Sequence, residues 1–228
     1  HFASLKTSAS NGTSHETRNN VAITFGPAGA GGWTAATKVG VFDATSGGNC
    51  WFYGDLGTSV TVANGSTYPL AISAAVFTLG LTGGMTDYLA NKMIDLLWRA
   101  QAFTWPSNTY VRLVTTTPTN AAGGVEVSTG SYARVTLASS LAALSGTQSA
   151  GSTTASSGTS GRTSNNAVLT FPSPSANWGT VTHMETLDAA TLGTGNRLFW
   201  APLGTARTIN SGALAPRFDA NTLGFTFA

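Results

Sequence analysis

Short runs of β-branched and aromatic residues, broken every few positions by Gly, Pro, Asn or Ser, make up most of the chain. In Val21-Ala22-Ile23-Thr24-Phe25 the apolar side chains alternate, which puts one face of an extended strand into a core. Composition of the same kind predicts strands at Val21–Phe25, Val39–Phe42, Trp51–Tyr53, Ser59–Val62, Tyr110–Thr115, Ala133–Leu137, Ala167–Phe171, Arg197–Trp200 and Phe225–Phe227. Many short strands separated by turn residues read as an antiparallel sandwich or barrel. One segment has a different period. Met85–Ala100 places Leu89, Met93, Leu96, Leu97 and Ala100 on one stripe, with Asp87, Lys92, Asp95 and Arg99 elsewhere. That spacing predicts an amphipathic helix over 85–100, capped by Thr86 or Asp87 and ended by the Phe103–Pro106 stretch. Its stripe is expected to cover an open end or edge of a sheet.

The pattern occurs twice. Asn19-Asn20-Val21-Ala22-Ile23-Thr24-Phe25 returns as Asn165-Asn166-Ala167-Val168-Leu169-Thr170-Phe171, each followed by a Trp, Trp33 or Trp178. Val41-Phe42-Asp43-Ala44-Thr45 is answered by Thr186-Leu187-Asp188-Ala189-Ala190, and Trp51-Phe52-Tyr53 by Leu198-Phe199-Trp200. Thr61-Val62-Ala63-Asn64-Gly65 matches Thr208-Ile209-Asn210-Ser211-Gly212, and Phe2-Ala3-Ser4-Leu5 resembles Tyr132-Ala133-Arg134-Val135. Matched blocks in one order mark an internal duplication. Two domains are therefore expected. Residues 1–80 form the rear part of a first repeat. Residues 81–228 form a complete second repeat, whose front, 81–131, the first copy lacks. The missing front is expected either upstream of His1 or from a neighbouring subunit. The second copy also carries about 16 extra residues within 139–164, rich in Ser, Gly, Thr and Ala. That composition predicts a flexible, extended loop, or an arm that orders on a neighbour.

Composition narrows the function. Only 9% of the 228 residues are charged, and formal net charge is +2. Arg112, Arg134, Arg162, Arg197, Arg207 and Arg217 are scattered, without the clustered cations of a nucleic-acid binder. No apolar run approaches the roughly 18 residues of a membrane span. The single cysteine, Cys50, excludes an intrachain disulfide and reads as a small hydrophobe beside Trp51.

Catalytic chemistry finds little to stand on. Polymer hydrolysis needs paired carboxylates, and the candidate pairs are Asp43/Asp55 and Glu185/Asp188. Asp43 and Asp188 occupy the same repeat position before a Gly-rich turn, where Asp bonds to backbone N–H groups. His183 stands where the first copy has Lys38, so the fold does not require it. Neither a Gly-x-Ser-x-Gly elbow nor a phosphate-binding loop occurs. Asn11-Gly12-Thr13 and Asn64-Gly65-Ser66 fit the glycosylation pattern but read as turns. No catalytic, cofactor-binding or metal-ligating residue is assigned. The aromatic residues are read as core, with sugar stacking as the rival.

A further pattern lies in the order of the motifs. These are Met85-Thr86-Asp87-Tyr88-Leu89-Ala90-Asn91-Lys92, Tyr110–Pro118, Gly123-Gly124-Val125-Glu126-Val127, Gly130-Ser131-Tyr132-Ala133-Arg134, Asn165-Asn166-Ala167-Val168, Trp178–His183 and Asp188-Ala189-Ala190. In this order they resemble a structural protein family of tailed bacteriophages, tail-fibre-like or capsid-decoration-like. Residues 1–80 match its rear half only. Met184-Glu185-Thr186-Leu187 departs from the apolar run expected there, which suggests a strand facing a partner. The resemblance implies an all-β fold of two tandem antiparallel β-sandwich domains, with the helix opening the second. It implies a non-enzymatic virion protein on the outer surface, acting as decoration, cement or fibre through subunit contacts. The alternative is a glycan-binding receptor-recognition module of a tail fibre. Expected partners are copies of itself and other virion proteins, major capsid or tail proteins, with a host surface glycan under the alternative. No nucleic acid, membrane or cofactor is expected. Homo-oligomers are expected, in a virion assembled in the bacterial host cytoplasm.

Overall fold

The structure is a computed structural model that describes residues 9–78 and 84–227. It is all-β, with one helix among the described residues. Chain contacts divide it into two units. The first is Glu16–Phe77, and the second combines residues 9–15 with 78 and 84–227.

Three ladders nested in sequence build the first unit. β1 (Glu16–Arg18) pairs with β6 (Val76–Thr78), β2 (Ile23–Phe25) with β5 (Tyr68–Leu70), and β3 (Trp33–Phe42) with β4 (Cys50–Val62). The second unit repeats this nesting. β9 (Arg162–Ser164) pairs with β14 (Gly224–Thr226), β10 (Leu169–Thr170) with β13 (Arg217–Phe218), and β11 (Gly179–Leu187) with β12 (Arg197–Ile209). It then adds a front. Helix α1 (Asp87–Trp98) precedes β7 (Asn108–Val114) and β8 (Val135–Ala138), giving a four-stranded sheet in the order β12-β11-β7-β8.

Side-chain alternation explains where the core sits. Val111 and Leu113 of β7 share a face with Val181 and Met184 of β11, where a bulge restores the phase. Val127, Tyr132, Leu137, Phe171, Trp178, Ile209 and Leu223 complete this cluster, and Leu169, Phe218 and Phe225 of the short ladders pack against it. The Tyr132 hydroxyl accepts the Leu113 N–H at 2.8 Å inside it, and burial pushes that phenol's pKa well up. On the sheet's other side Leu198 is fully buried under Met85, Leu89 and Ala90 of the helix region.

Thr86 caps α1, accepting the Leu89 N–H, while its own N–H donates to the Leu198 carbonyl at 3.0 Å. The buried face of α1 is Leu89, Ala90, Asn91, Ile94 and Asp95, whereas Leu96 and Leu97 are exposed. The stripe expected from sequence is thus rotated. The rotation follows from Asp95, a carboxylate in the buried face that accepts bonds from Ser10 N (2.8 Å), Ser10 Oγ and Arg99 Nη1. Burial alone would raise the Asp95 pKa, but those donors hold it below the ordinary carboxylate range.

Those bonds also tie residues 9–15 to the second unit. Residues 9–15 were expected within the first repeat, yet they lie along α1. Asn91 Nδ2 donates to the Gly12 carbonyl at 2.8 Å, and His15 Nε2 lies 2.6 Å from Asp87 Oδ1. The segment 139–164 likewise differs from an extended loop. It folds back around Thr147 and Gln148. The Gln148 amide donates to Ser152 Oγ, Thr154 Oγ1 and the Ala155 carbonyl, and Ser160 Oγ donates to the Thr147 carbonyl. The match of Phe2–Leu5 to 132–135 lies outside the described residues.

Candidate functional site

Two polar devices recur at matched positions. Asn19 and Asn165 are each fully buried. The Asn19 amide donates to the carbonyls of Val21 and Ala71, and its oxygen accepts the Ala75 N–H at 2.9 Å. The Asn165 amide donates to Ala167 and Asp219, and its oxygen accepts the Leu223 N–H at 2.9 Å. The bonded turns carry Ser73 at φ 64° and Asn221 at φ 65°. Asp43 accepts the Asn49 N–H at 2.7 Å and its side-chain amide at 2.9 Å, and Asp188 accepts the same two groups of Asn196 at 2.6 and 2.8 Å. The Asn49 bonds lower the pKa of Asp43, keeping it an acceptor. These aspartates close turns, as their position in the repeat predicts.

The second unit also holds a charge cluster. Glu185 is fully buried on the sheet face opposite the main core. It accepts Arg112 Nε at 2.7 Å, Arg112 Nη2 and Arg197 Nη1 at 2.7 Å. Glu126 accepts Arg134 Nε and Nη2, each at 2.7 Å, and Arg112 Nη1 at 3.1 Å. The arginines reach onward to loop carbonyls, Arg134 to Ala189 and Thr194, Arg197 to Thr119 and Asn120. Burial pushes Glu126 up, but the guanidiniums of Arg134 and Arg112 outweigh it and leave the carboxyl below its ordinary value. The cluster fixes loops rather than activating a group, because each carboxylate is saturated by donors. Glu185 therefore does not turn toward a partner, as its break in the apolar run had suggested. Sequence reasoning missed this cluster. Its one signal was a charge at a place where an apolar run is expected.

The remaining candidates are engaged separately. Asp55 pairs with Lys38 at 2.6 Å, both exposed. His183 Nδ1 lies 2.8 Å from Thr182 Oγ1, with the ring tilted against Trp200. Cys50 is an exposed thiol 3.4 Å from the Phe52 carbonyl oxygen, not a buried hydrophobe. No group of three or more His, Cys, Asp or Glu among the described residues could hold a metal ion. None of the described helices is long and apolar enough to cross a membrane.

A groove of about 650 Å³ opens in the second unit between the end of β12 and residues 213–219. Leu203, Arg207, Leu214, Arg217 and Asp219 lie along it, with no Trp or Tyr in its lining. In the first unit Phe42, Trp51 and Tyr53 of the β3–β4 hairpin face solvent.

Comparison with known families gives the class. The family model described as podophage GP4 fiber I protein gp80 matches residues 1–78 and 84–226. No curated protein matches the chain. The chain belongs to this podophage fibre family and is thereby a bacteriophage structural protein.

Proposed function

We propose that this member of a podophage fibre family works without catalysis on the outside of the virion, as a fibre or decoration protein, through contacts between subunits. One observation carries the reading. The carboxylates that a depolymerase would use are engaged in holding the fold: Asp43 and Asp188 close turns, Glu185 and Glu126 are saturated by arginines, and Asp95 anchors residues 9–15. The chain is rich in Ser, Thr and Asn and only 9% charged, so it has few ions to desolvate, which suits burial against a neighbour. Homo-oligomers and contacts with capsid or tail proteins belong to the same proposal. A density map of the intact particle tests it. The expected result is this chain in a symmetric array on the outer surface. Its absence from purified particles refutes the reading. Calorimetric binding of host-surface polysaccharide would favour the receptor module instead, although the groove lacks the Trp or Tyr such a module predicts.

A further inference from the structure

The hairpins β3–β4 and β11–β12 share two irregularities, and β3–β4 has a further register shift between Trp33 and Ala36. Val41 pairs with Phe52 and Phe42 with Cys50, leaving Trp51 as a bulge; Thr186 pairs with Phe199 and Leu187 with Arg197, leaving Leu198 in the same place. Both also jump register in the same way, between Ala36 and Lys38 and between Val181 and His183.

What covers them differs. In the second unit the free edge of β11 takes up β7, with His183–Leu187 antiparallel to Val114–Tyr110. The outer edge of β12 takes up residues 84–86, with Trp200 N donating to the Gly84 carbonyl and Thr86 N to the Leu198 carbonyl. The helix then lies over Leu198. In the first unit, among the described residues, nothing pairs with the second edge of β3. The side chains report the difference: Leu187 is 1% exposed and its counterpart Phe42 54%, and Leu198 is 0% exposed and its counterpart Trp51 61%.

We propose that the β3–β4 hairpin is an acceptor for a helix-and-strand segment of the same design as residues 84–114, donated by a neighbouring polypeptide. The donor adds an antiparallel strand along Lys38–Phe42 and lays its helix over Trp51. Backbone bonds of the strand give affinity, and side-chain pockets give selectivity. The acceptor also dictates the donor's chemistry. Gly40 stands where the second unit has Glu185, and Cys50 where it has Arg197. A donor arginine in the place of Arg112 would find no carboxylate and would be buried unpaired, so the donor carries an uncharged residue there.

The test uses the 228-residue chain and two synthetic peptides spanning residues 84–117, one with the native sequence and one with Arg112→Val. Amide hydrogen exchange along Lys38–Phe42 is the readout. The Arg112→Val peptide is expected to slow exchange there at least about tenfold and to bind at least about tenfold more tightly than the native peptide. Gly40→Glu in the chain supplies the missing carboxylate and is expected to reverse that preference. Its Cβ crowds the ring edge of the exposed Phe42, which can swing aside, and meets Cys50 Sγ at an ordinary contact distance of 3.5 Å. Trp51→Ser, which leaves the hairpin register alone, is expected to weaken binding about tenfold. Two results overturn the proposal. One is an absence of protection by either peptide. The other is protection already present in the chain alone that grows with its concentration, which would mean that β3 edges of two copies pair with each other.

Discussion

Glu185→Ala is the sharpest perturbation of the second unit. The side chain accepts three N–H bonds from Arg112 and Arg197 with no exposure to water. Removing one member of a buried ion pair costs about 3–5 kcal/mol, because the partner is left charged and dry. Here Arg112 keeps Glu126, and Arg197 keeps the carbonyls of Thr119 and Asn120, so the cost falls at the lower end, about 3 kcal/mol. For a unit of this size 1 kcal/mol moves Tm by about 2–4 °C, which places the expected drop at roughly 6–12 °C. Differential scanning calorimetry on the full chain reads it, with near-UV circular dichroism confirming native packing below the transition. The double variant Glu185→Met/Arg112→Met removes both charges and keeps volume, and is expected to recover at least half of the loss. A drop below about 2 °C for the single variant, or a double variant as damaged as the single one, would refute the view that pairing rather than shape holds this strand in place.

Other expectations follow from the same structure. Leu89→Ala costs about 2–5 kcal/mol and Leu96→Ala less than about 0.5 kcal/mol in urea unfolding, a contrast set by the rotated helix face. Asn165→Ala leaves the Leu223 N–H and the Asp219 and Ala167 carbonyls without their partner and lowers stability by about 2–3 kcal/mol, read as a shifted urea midpoint. The lowered pKa of Glu126 makes its contribution complete above the ordinary value of 4.5; it is lost as pH falls through the depressed folded value. Thermal scans across the acid range should therefore show Tm falling below pH 4.5, and Arg134→Leu should flatten that slope.

The duplication was readable because its conserved side chains do identical work. Asn19 and Asn165 make the same three bonds, and Asp43 and Asp188 cap the same turn, so matched letters reflected matched hydrogen bonds. The helix could be found by period, but its face could not. Periodicity counts Asp95 as polar and therefore outward, whereas Ser10, some 85 positions away, satisfies it inside. Short strands such as β1, β5 and β13 span two or three residues and have no period to detect; β5 even contains Pro69. Glu185 was visible as an anomaly, but its meaning needed Arg112 and Arg197, which only the β7–β11–β12 register brings beside it.

The placement of charge also bears on life outside the host cell. Mobile ions weaken attraction between groups they can approach, over a Debye length of about 10 Å at 0.1 M salt, and hardly touch pairs shut away from solvent. The five side chains joined through Glu185 and Glu126 are of the second kind, whereas Lys38–Asp55 and Arg217–Asp219 are of the first. In dilute or briny surroundings the pairs made by Glu185 and Glu126 thus keep most of their attraction, while Arg217–Asp219 of the same unit gains or loses with the salt.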